Sequence, residues 1–207
     1  MTGRGLPVLD GCRLRLPVGG PCQTGRMSDP VPVAPHLVLV GLMGSGKTEV
    51  GAIVATRLGR PLRDSDADIE AREGRTVREL RDDAGTHALH ALEARHLLDA
   101  LAGPGPDVIC AAASTIDDPR CRDALRGSSV LVVWLTASPE TAATRFDDQG
   151  HRPRYGPDPE AFLARQAEER QPLFRSVSAA ELATDGVTPD DLAGRVLELA
   201  GAPDQRD

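Results

Sequence analysis

A glycine-rich loop between an apolar segment and a helical one constrains this chain more than any other feature. The loop, Gly41 to Thr48, matches the pattern G-x-x-x-x-G-K followed by Ser or Thr at every fixed position. The preceding run His36-Leu37-Val38-Leu39-Val40 is typical of a strand buried on both faces. A helix is predicted to follow from Gly46 to Leu58, where Gly59 ends it. This order of strand, loop and helix indicates a phosphate-binding loop.

The residue types of the loop suit the phosphates of a nucleotide. Its glycines let backbone N–H groups surround a phosphate, and the helix N-terminus favours negative charge. Lys47 can reach the terminal phosphates, and the Thr48 hydroxyl can bind Mg²⁺. ATP is expected rather than GTP, because a chain without asparagine has no Asn-Lys-x-Asp element to recognise guanine. The residues expected to bind ATP in this segment are Gly44, Ser45, Gly46, Lys47, Thr48 and Glu49.

Lys47 is the single lysine among the 24 Lys and Arg residues of the chain. The ammonium group is a compact point charge, whereas the guanidinium group of arginine is a planar fork, so the two are not interchangeable. In a chain whose other cations are all arginine, a position that keeps lysine indicates a chemical need for an ammonium group. We therefore predict that Lys47 is a catalytic residue.

Composition limits the classes of partner. A net charge of −7 and an aromatic content of 2% argue against a nucleic-acid partner, because there is neither a basic surface nor enough stacking residues. No apolar run approaches the roughly 20 residues of a membrane helix. The four cysteines, Cys12, Cys22, Cys110 and Cys121, are far apart, so neither a zinc ribbon nor a disulfide framework is predicted. We expect a monomeric cytoplasmic protein with no membrane partner.

The chain divides into a tail and one domain. Residues 1–34 are rich in Gly and Pro and lack periodicity, so they are predicted to be a disordered N-terminal extension. Residues 35–202 have the size of a single domain. A segment with two Gly and three Pro at 149–159 separates two predicted helices and is expected to form a mobile lid.

Strands and helices alternate through this domain. Strands are predicted at 36–40, 61–66, 107–111, 130–135 and 180–184. Helices are predicted at 46–58, from the capping box at 76–79, and at 86–102, 138–148, 160–171 and 188–200. Alternation of this kind favours a three-layer α/β fold, in which a mostly parallel five-stranded sheet is flanked by helices.

Taken together, these motifs resemble those of the shikimate kinases, P-loop enzymes that are similar to nucleoside monophosphate kinases. The resemblance covers most of residues 36–200 and implies the P-loop kinase fold. It is carried by the phosphate-binding loop with Val50-Gly51, by Asp64-Ser65-Asp66 with Ile69-Glu70, by Gly74 to Leu80, and by Gly85 and Glu93. It implies an ATP-dependent enzyme that phosphorylates a hydroxyl of a small molecule, with shikimate as the leading acceptor.

The resemblance assigns catalytic and metal-binding roles by position. Asp66 would bind the acceptor hydroxyls and help to accept the attacking proton. Asp64 would order Mg²⁺ together with Thr48. Arg152, in the Gly-His-Arg-Pro segment of the lid, would close over the phosphates.

The resemblance also assigns binding roles around the two substrates. Arg145 and Pro189 would flank the adenine. Arg170 would pair with the acceptor carboxylate, and His90, Glu93 and Ala112 occupy other acceptor-site positions.

Two departures from the family pattern lie on the acceptor side. Leu89-His90 replaces a Phe-Arg pair whose arginine binds the shikimate carboxylate, and a neutral imidazole cannot replace a guanidinium fork. Ala111-Ala112-Ala113 replaces three glycines, and the added Cβ atoms are expected to disfavour a positive φ and to block close approach of a ligand. The nucleotide side keeps the whole pattern.

Several functions remain open from the sequence. The enzyme would be a shikimate kinase or a related kinase that acts on another polyol or cyclitol. The alternative without catalysis is an ATP-binding regulator. A metal-assisted activity would use His87, His90 and Glu93, which are three residues apart on one helix face, but a single helix gives poor ligand geometry and ordinary core or surface histidines are the simpler explanation.

Overall fold

The computed structural model describes residues 12–14, 36–147 and 158–202. Its centre is one sheet with the strand order β1-β6-β5-β2-β4-β3. All pairings among β2 to β6 are parallel, and only β1 pairs antiparallel, with β6. The strands are β1 (Cys12–Leu14), β2 (His36–Val40), β3 (Leu62–Asp64), β4 (Val108–Cys110), β5 (Val130–Thr136) and β6 (Ala180–Ala183).

Helices cover both faces of the sheet. They are α1 (Lys47–Leu58), α2 (Ser65–Glu73), α3 (Val77–Ala84), α4 (Thr86–Leu101), α5 (Pro119–Leu125), α6 (Pro139–Asp147), α7 (Pro159–Val177) and α8 (Pro189–Leu199), with a 3-10 helix at Ala113–Asp117. The side chains of β2 alternate between two cores: Leu37 and Leu39 pack with α1 and α8, and Val38 with α4 and α7. This burial of both faces explains why β2 is a continuous apolar run.

The predicted three-layer fold with five parallel strands is confirmed, and the structure adds the sixth strand β1. This strand lies inside the segment that we expected to be disordered. Without β1, its neighbour β6 would be the edge of the sheet, and an edge strand offers backbone N–H and C=O groups to any extended segment. The alternation of apolar and cationic residues from Cys12 to Leu16 is the sequence signal that we overlooked. The proposed boundary at residue 34 stays a prediction.

The structure corrects the predicted strand at 61–66. The strand β3 ends at Asp64, and α2 begins at Ser65. The Asp64 carboxylate caps this helix by accepting a hydrogen bond of 3.3 Å from the Ala67 backbone N–H. An aspartate before a polar first turn is a typical helix start. Asp66 therefore lies on the first turn of α2 and not on a strand.

The helix α7 is longer than predicted and continues through Pro172 to Val177. Its last turns are stabilised by packing, because Phe174 and Val177 are buried in the core. The Phe174 ring stacks on Trp134 of β5 with the centroids 5.7 Å apart. Tertiary burial thus outweighs the cost of a proline inside the helix.

Two predicted features lie outside the described residues. They are the remainder of residues 1–34, which is predicted to be disordered, and most of the predicted lid, of which residues 149–157 are not described. Within the described residues, no helix combines the length and the apolar content needed to span a bilayer.

Gly51 provides a test of the packing that joins α1 to the sheet. A Cβ at this position would overlap the Cys110 Sγ of β4. We expect Gly51→Ala to lower the free energy of unfolding by about 1–3 kcal/mol, even though alanine is the better helix former. Urea denaturation measures this change.

The control is the same substitution in a Cys110→Ala background, where the overlapping sulfur is absent. Gly51→Ala should cost less there, so the two substitutions should be non-additive. Equal costs in both backgrounds would contradict this account of the packing.

Candidate active site

The phosphate-binding loop joins the end of β2 to the start of α1, and its glycines meet specific steric demands. Gly44 and Gly46 have φ values of +76° and +84°, in the left-handed region that favours glycine. A Cβ on Gly44 would overlap the Ala142 backbone of α6. Apart from its chain neighbours, no described residue has an atom within 4 Å of a Cβ position at Gly46, which faces an open cleft. The loop is thus packed on one side and open on the other.

Two side chains of the loop take different positions, since Lys47 lines the open cleft and Ser45 does not. The Ser45 Oγ is buried and has no hydrogen-bond partner among the described residues. The Lys47 ammonium lies over the loop and donates hydrogen bonds of 2.9 Å to the carbonyl oxygens of Gly41 and Leu42. An ammonium group bonds a charged phosphate oxygen more strongly than a neutral carbonyl oxygen. The loop therefore fits a phosphate group.

A cleft of about 430 Å³ extends from the loop toward α6 and α8. The predicted nucleotide residues come together there, except Ser45, which is buried and does not line the cleft. The lining residues are Gly44, Gly46, Lys47, Thr48, Glu49, Val50, Arg145, Val187, Pro189 and Leu192.

Arg145 joins two walls of this cleft. Its Nη1 donates to the Gly44 carbonyl at 3.4 Å and to the Thr184 hydroxyl at 3.1 Å, and its Nη2 donates to the Thr184 carbonyl at 3.3 Å. Thr184 follows β6 and is fully buried. Arg145 therefore holds the segment before Pro189 against the phosphate-binding loop.

Asp185 supports the same wall of the cleft. Its carboxylate accepts hydrogen bonds from the Ser138 backbone N–H at 3.0 Å and from the Ser138 hydroxyl at 2.9 Å. Burial opposes its charged form, but hydrogen bonds from Thr141 and Ser138 and the charge of Arg145 outweigh burial and lower the pKa of Asp185. A carboxylate that stays charged keeps α6 and the segment after β6 together.

Thr48 and Asp64 form the centre of the predicted metal site. The Thr48 hydroxyl donates a hydrogen bond of 2.9 Å to the Asp64 Oδ2. These oxygen ligands suit Mg²⁺, which usually takes few protein ligands and completes its shell with water and phosphate oxygens. Among the described residues, no three His, Cys, Asp or Glu side chains are placed to hold a metal ion. The proposed cluster of His87, His90 and Glu93 thus gains no support.

A second cavity, of about 350 Å³, lies beside the loop on the side of α2, α3 and α4. It shares Lys47 and Thr48 with the nucleotide cleft, so the two spaces meet at the phosphate-binding loop. Predicted acceptor residues line it, together with Asp64. They are Asp66, His90, Glu93, Ala112 and Arg170.

Two carboxylates of this cavity are only partly exposed. Asp66 is half-buried on the first turn of α2. Glu93 of α4 is buried and accepts a short hydrogen bond from the Ser114 hydroxyl. Buried carboxylates at the wall of a cavity are suitable acceptors for the hydroxyl groups of a ligand.

His90 and Arg170 define the far end of the cavity. Burial and then the charge of Arg170 lower the pKa of His90, so the imidazole is neutral at pH 7. The Arg170 guanidinium donates to both carboxylate oxygens of Asp117, with its Nε 3.1 Å from each. His90 is therefore a polar neutral group, and Arg170 is a cation with a protein partner.

Ala112 and Ala113 do not strain the backbone, which corrects our expectation. Ala112 has φ −61° and ψ 148°, an ordinary extended conformation, and Ala113 begins the 3-10 helix. Neither conformation requires glycine. The Cβ atoms still take up space, because Ala111, Ala112 and Ala113 all line the acceptor cavity.

The sequence analysis overlooked three residues of this site, and one residue that it predicted lies outside the described part of the chain. Arg81 and Ser114 line the acceptor cavity, and Asp117 binds Arg170. Arg81 carried a signal, because it is one turn after Val77 on the face of α3 that packs inward. The other two have no local signal. Arg152, the predicted lid residue, lies outside the described residues.

Comparison with known proteins agrees with this geometry. The family model described as shikimate kinase matches residues 43–200. A shikimate kinase of Symbiobacterium thermophilum is 38% identical over 166 residues, which are 79% of this chain and 94% of that protein. A shikimate kinase of Streptomyces avermitilis is 37% identical over 164 residues, 79% of this chain and 94% of that protein.

Solved structures lead to the same family. The structure of a shikimate kinase from Acinetobacter baumannii in complex with shikimate superposes with a TM-score of 0.75 at 30% identity, covering 80% of this chain and 92% of that one. A shikimate kinase from Bacteroides thetaiotaomicron has the same fold, with a TM-score of 0.68 at 23% identity over 80% of this chain and 97% of that one. The chain belongs to the shikimate kinase family, a family of small-molecule kinases.

Proposed function

We propose that this protein transfers the terminal phosphoryl group of ATP to a hydroxyl of shikimate, with Mg²⁺ as the metal cofactor. The observation that carries the proposal is the meeting of two cavities at Lys47 and Thr48. A nucleotide in one and a hydroxyl acceptor in the other would face each other across the phosphate-binding loop. This is the arrangement that in-line phosphoryl transfer requires.

The loop would bind and neutralise the phosphates. The amides at the start of α1 would bind phosphate oxygens, and Lys47 would leave its two carbonyl partners to contact the terminal phosphate. Thr48 and Asp64 would hold Mg²⁺, which neutralises the charge that develops on the phosphate oxygens. The N-terminal dipole of α1 adds to the same effect.

Asp66 is the candidate catalytic base. It lines the acceptor cavity, and Asp64, two residues before it, lines the same wall. A carboxylate in this place can orient the acceptor hydroxyl and accept its proton as the O–P bond forms. Arg152 would close over the phosphates and keep water out, which favours transfer to the acceptor over hydrolysis.

Arg170 would bind the shikimate carboxylate, and Glu93 and His90 would bind hydroxyl groups. A second candidate acceptor is a neutral polyol or cyclitol, favoured by the neutral imidazole of His90 at the far end of the cavity. An ATP-binding regulator is the third candidate.

For the oligomeric state and the cellular location, we propose a monomer in a reducing cytoplasm, in which Cys110 and Cys121 stay free.

An ADP-release assay over shikimate, gluconate, polyols and aminocyclitols tests the proposed function. We expect shikimate to stimulate ADP release in the presence of Mg²⁺. Lys47→Ala should lower kcat by at least about 100-fold, because the charge on the terminal phosphate loses its cation. Circular dichroism should show that this variant is folded.

The same assay separates the three candidates. Stimulation by a polyol or cyclitol but not by shikimate would favour the related kinase. ATP binding without ADP release for any acceptor would favour the regulator.

A His90→Arg variant tests the carboxylate account of the acceptor site. A permanent guanidinium at this end of the cavity should lower KM for shikimate by about tenfold, with kcat little changed. His87→Arg is the matched control, because His87 is exposed on the same helix and does not line the cavity. Equal effects of the two variants on KM would mean that the added charge acts at long range. An unchanged or higher KM for His90→Arg would contradict the account.

An Arg145→Ala variant tests the nucleotide cleft. Loss of its hydrogen bonds to Gly44 and Thr184 should raise KM for ATP by about tenfold and leave KM for shikimate unchanged. Arg95→Ala is the control, since Arg95 is an exposed arginine of α4 that pairs only with Asp99 among the described residues. If KM for shikimate rose instead, Arg145 would belong to a different part of the site.

A further inference from the structure

We propose that Asp117 is a positioning residue for acceptor binding, which fixes the Arg170 guanidinium in the orientation that receives the acceptor carboxylate. This inference rests on the proposed function and adds a residue that neither the sequence motifs nor the acceptor cavity itself identifies. Asp117 does not line the cavity, whereas Arg170 does.

The contact between the two residues uses one edge of the guanidinium. The Arg170 Nε lies 3.1 Å from both carboxylate oxygens of Asp117, and its Nη2 lies 2.5 Å from the Oδ2. The Nη1 has no hydrogen-bond partner among the described residues. Asp117 therefore holds the Nε edge and leaves the opposite edge, Nη1 with Nη2, for a second carboxylate.

Exposure indicates on which side Asp117 approaches. The Arg170 side chain is 11% exposed, and the Asp117 side chain is 44% exposed. Asp117 thus contacts the guanidinium from the solvent side of the cavity wall. A residue in this position orients the arginine without filling the space that the acceptor would occupy.

The backbone at Asp117 is held in place by hydrogen bonds and by a buried neighbour. Asp117 ends the 3-10 helix that begins at Ala113 and supplies Ala113 and Ser114 to the cavity wall. The Arg122 Nη1 donates to the carbonyl oxygens of Ile116 and Asp117 at 2.7 Å and 2.9 Å. Ile116 is fully buried in the core. The orientation of Arg170 is therefore set relative to the wall against which the acceptor lies.

Pre-organisation of Arg170 matters more here than in a site where a second arginine stands at the position of His90. Because His90 is neutral, it adds no positive charge beside Arg170. A free arginine loses considerable rotamer freedom when it binds a ligand, and an arginine that is already fixed does not. The Asp117 contact thus favours binding by pre-organisation, although its own negative charge opposes the approach of an anion.

These two effects have opposite signs, so one measurement decides between them. If Asp117 positions Arg170, Asp117→Ala should raise KM for shikimate by about tenfold, with kcat and KM for ATP unchanged. Asp117→Glu should restore most of the affinity, because it keeps the carboxylate. If Asp117 instead competes with the acceptor carboxylate, Asp117→Ala should lower KM, and this result would overturn the proposal.

The neighbouring Asp118 provides the matched control. It caps α5 through a hydrogen bond of 2.8 Å from the Arg120 N–H and pairs with the Arg120 side chain, away from the cavity. Asp118→Ala should lower thermal stability and leave KM for shikimate unchanged. An equal rise in KM for both variants would mean a general effect on the 3-10 helix, and would also overturn the proposal.

A double variant tests whether Asp117 acts through Arg170. In an Arg170→Ala background, Asp117→Ala should cause no further rise in KM, measured on shikimate with saturating ATP and Mg²⁺. A further rise of about tenfold would show that Asp117 acts by another route. If the unmodified protein does not turn over shikimate, the proposed function itself fails before any variant is compared. If it does and Asp117→Ala has no effect, only this inference fails.

Discussion

Parallel pairing of β2 with β4 and of β4 with β3 is the constraint on which the rest of the site depends. It brings the carboxyl ends of three strands to one edge of the sheet, where β2 leads into the phosphate-binding loop, β3 ends at Asp64 and β4 leads to Ala112. The hydrogen bond from Thr48 to Asp64 then joins two of these ends across the sheet. Every other site residue is arranged around this edge.

The two halves of the site depart from the family pattern to different degrees. The nucleotide side keeps its glycines, Lys47 and Thr48, and Arg145 fastens its walls through Gly44 and Thr184. On the acceptor side, His90 is neutral where the family pattern has an arginine, and Arg170 is held by Asp117. Phosphate recognition relies on backbone amides, which a side-chain substitution does not remove, whereas an acceptor pocket relies on side chains that a substitution can change.

Prediction from the sequence succeeded where the signal was local. The run from His36 to Val40, the glycines of the loop and the capping box at Thr76 each act within a few residues, and the structure has all three as expected. It was wrong where packing overrode a local rule. The helix α7 passes through Pro172 because Phe174 is buried against Trp134, and Ala112 occupies a conformation that needs no glycine.

The sequence by itself determined the phosphate-binding loop, the parallel α/β fold and the candidate residues from Gly44 to Glu49, because each follows from contacts between near neighbours in the chain. Only the tertiary structure decided how Arg170 is used. Its partner Asp117 is 53 positions away, and their three hydrogen bonds exist because α7 crosses the end of the 3-10 helix. A long-range ion pair depends on how helices pack and on the burial of neighbours such as Ile116, which no local pattern of residues contains.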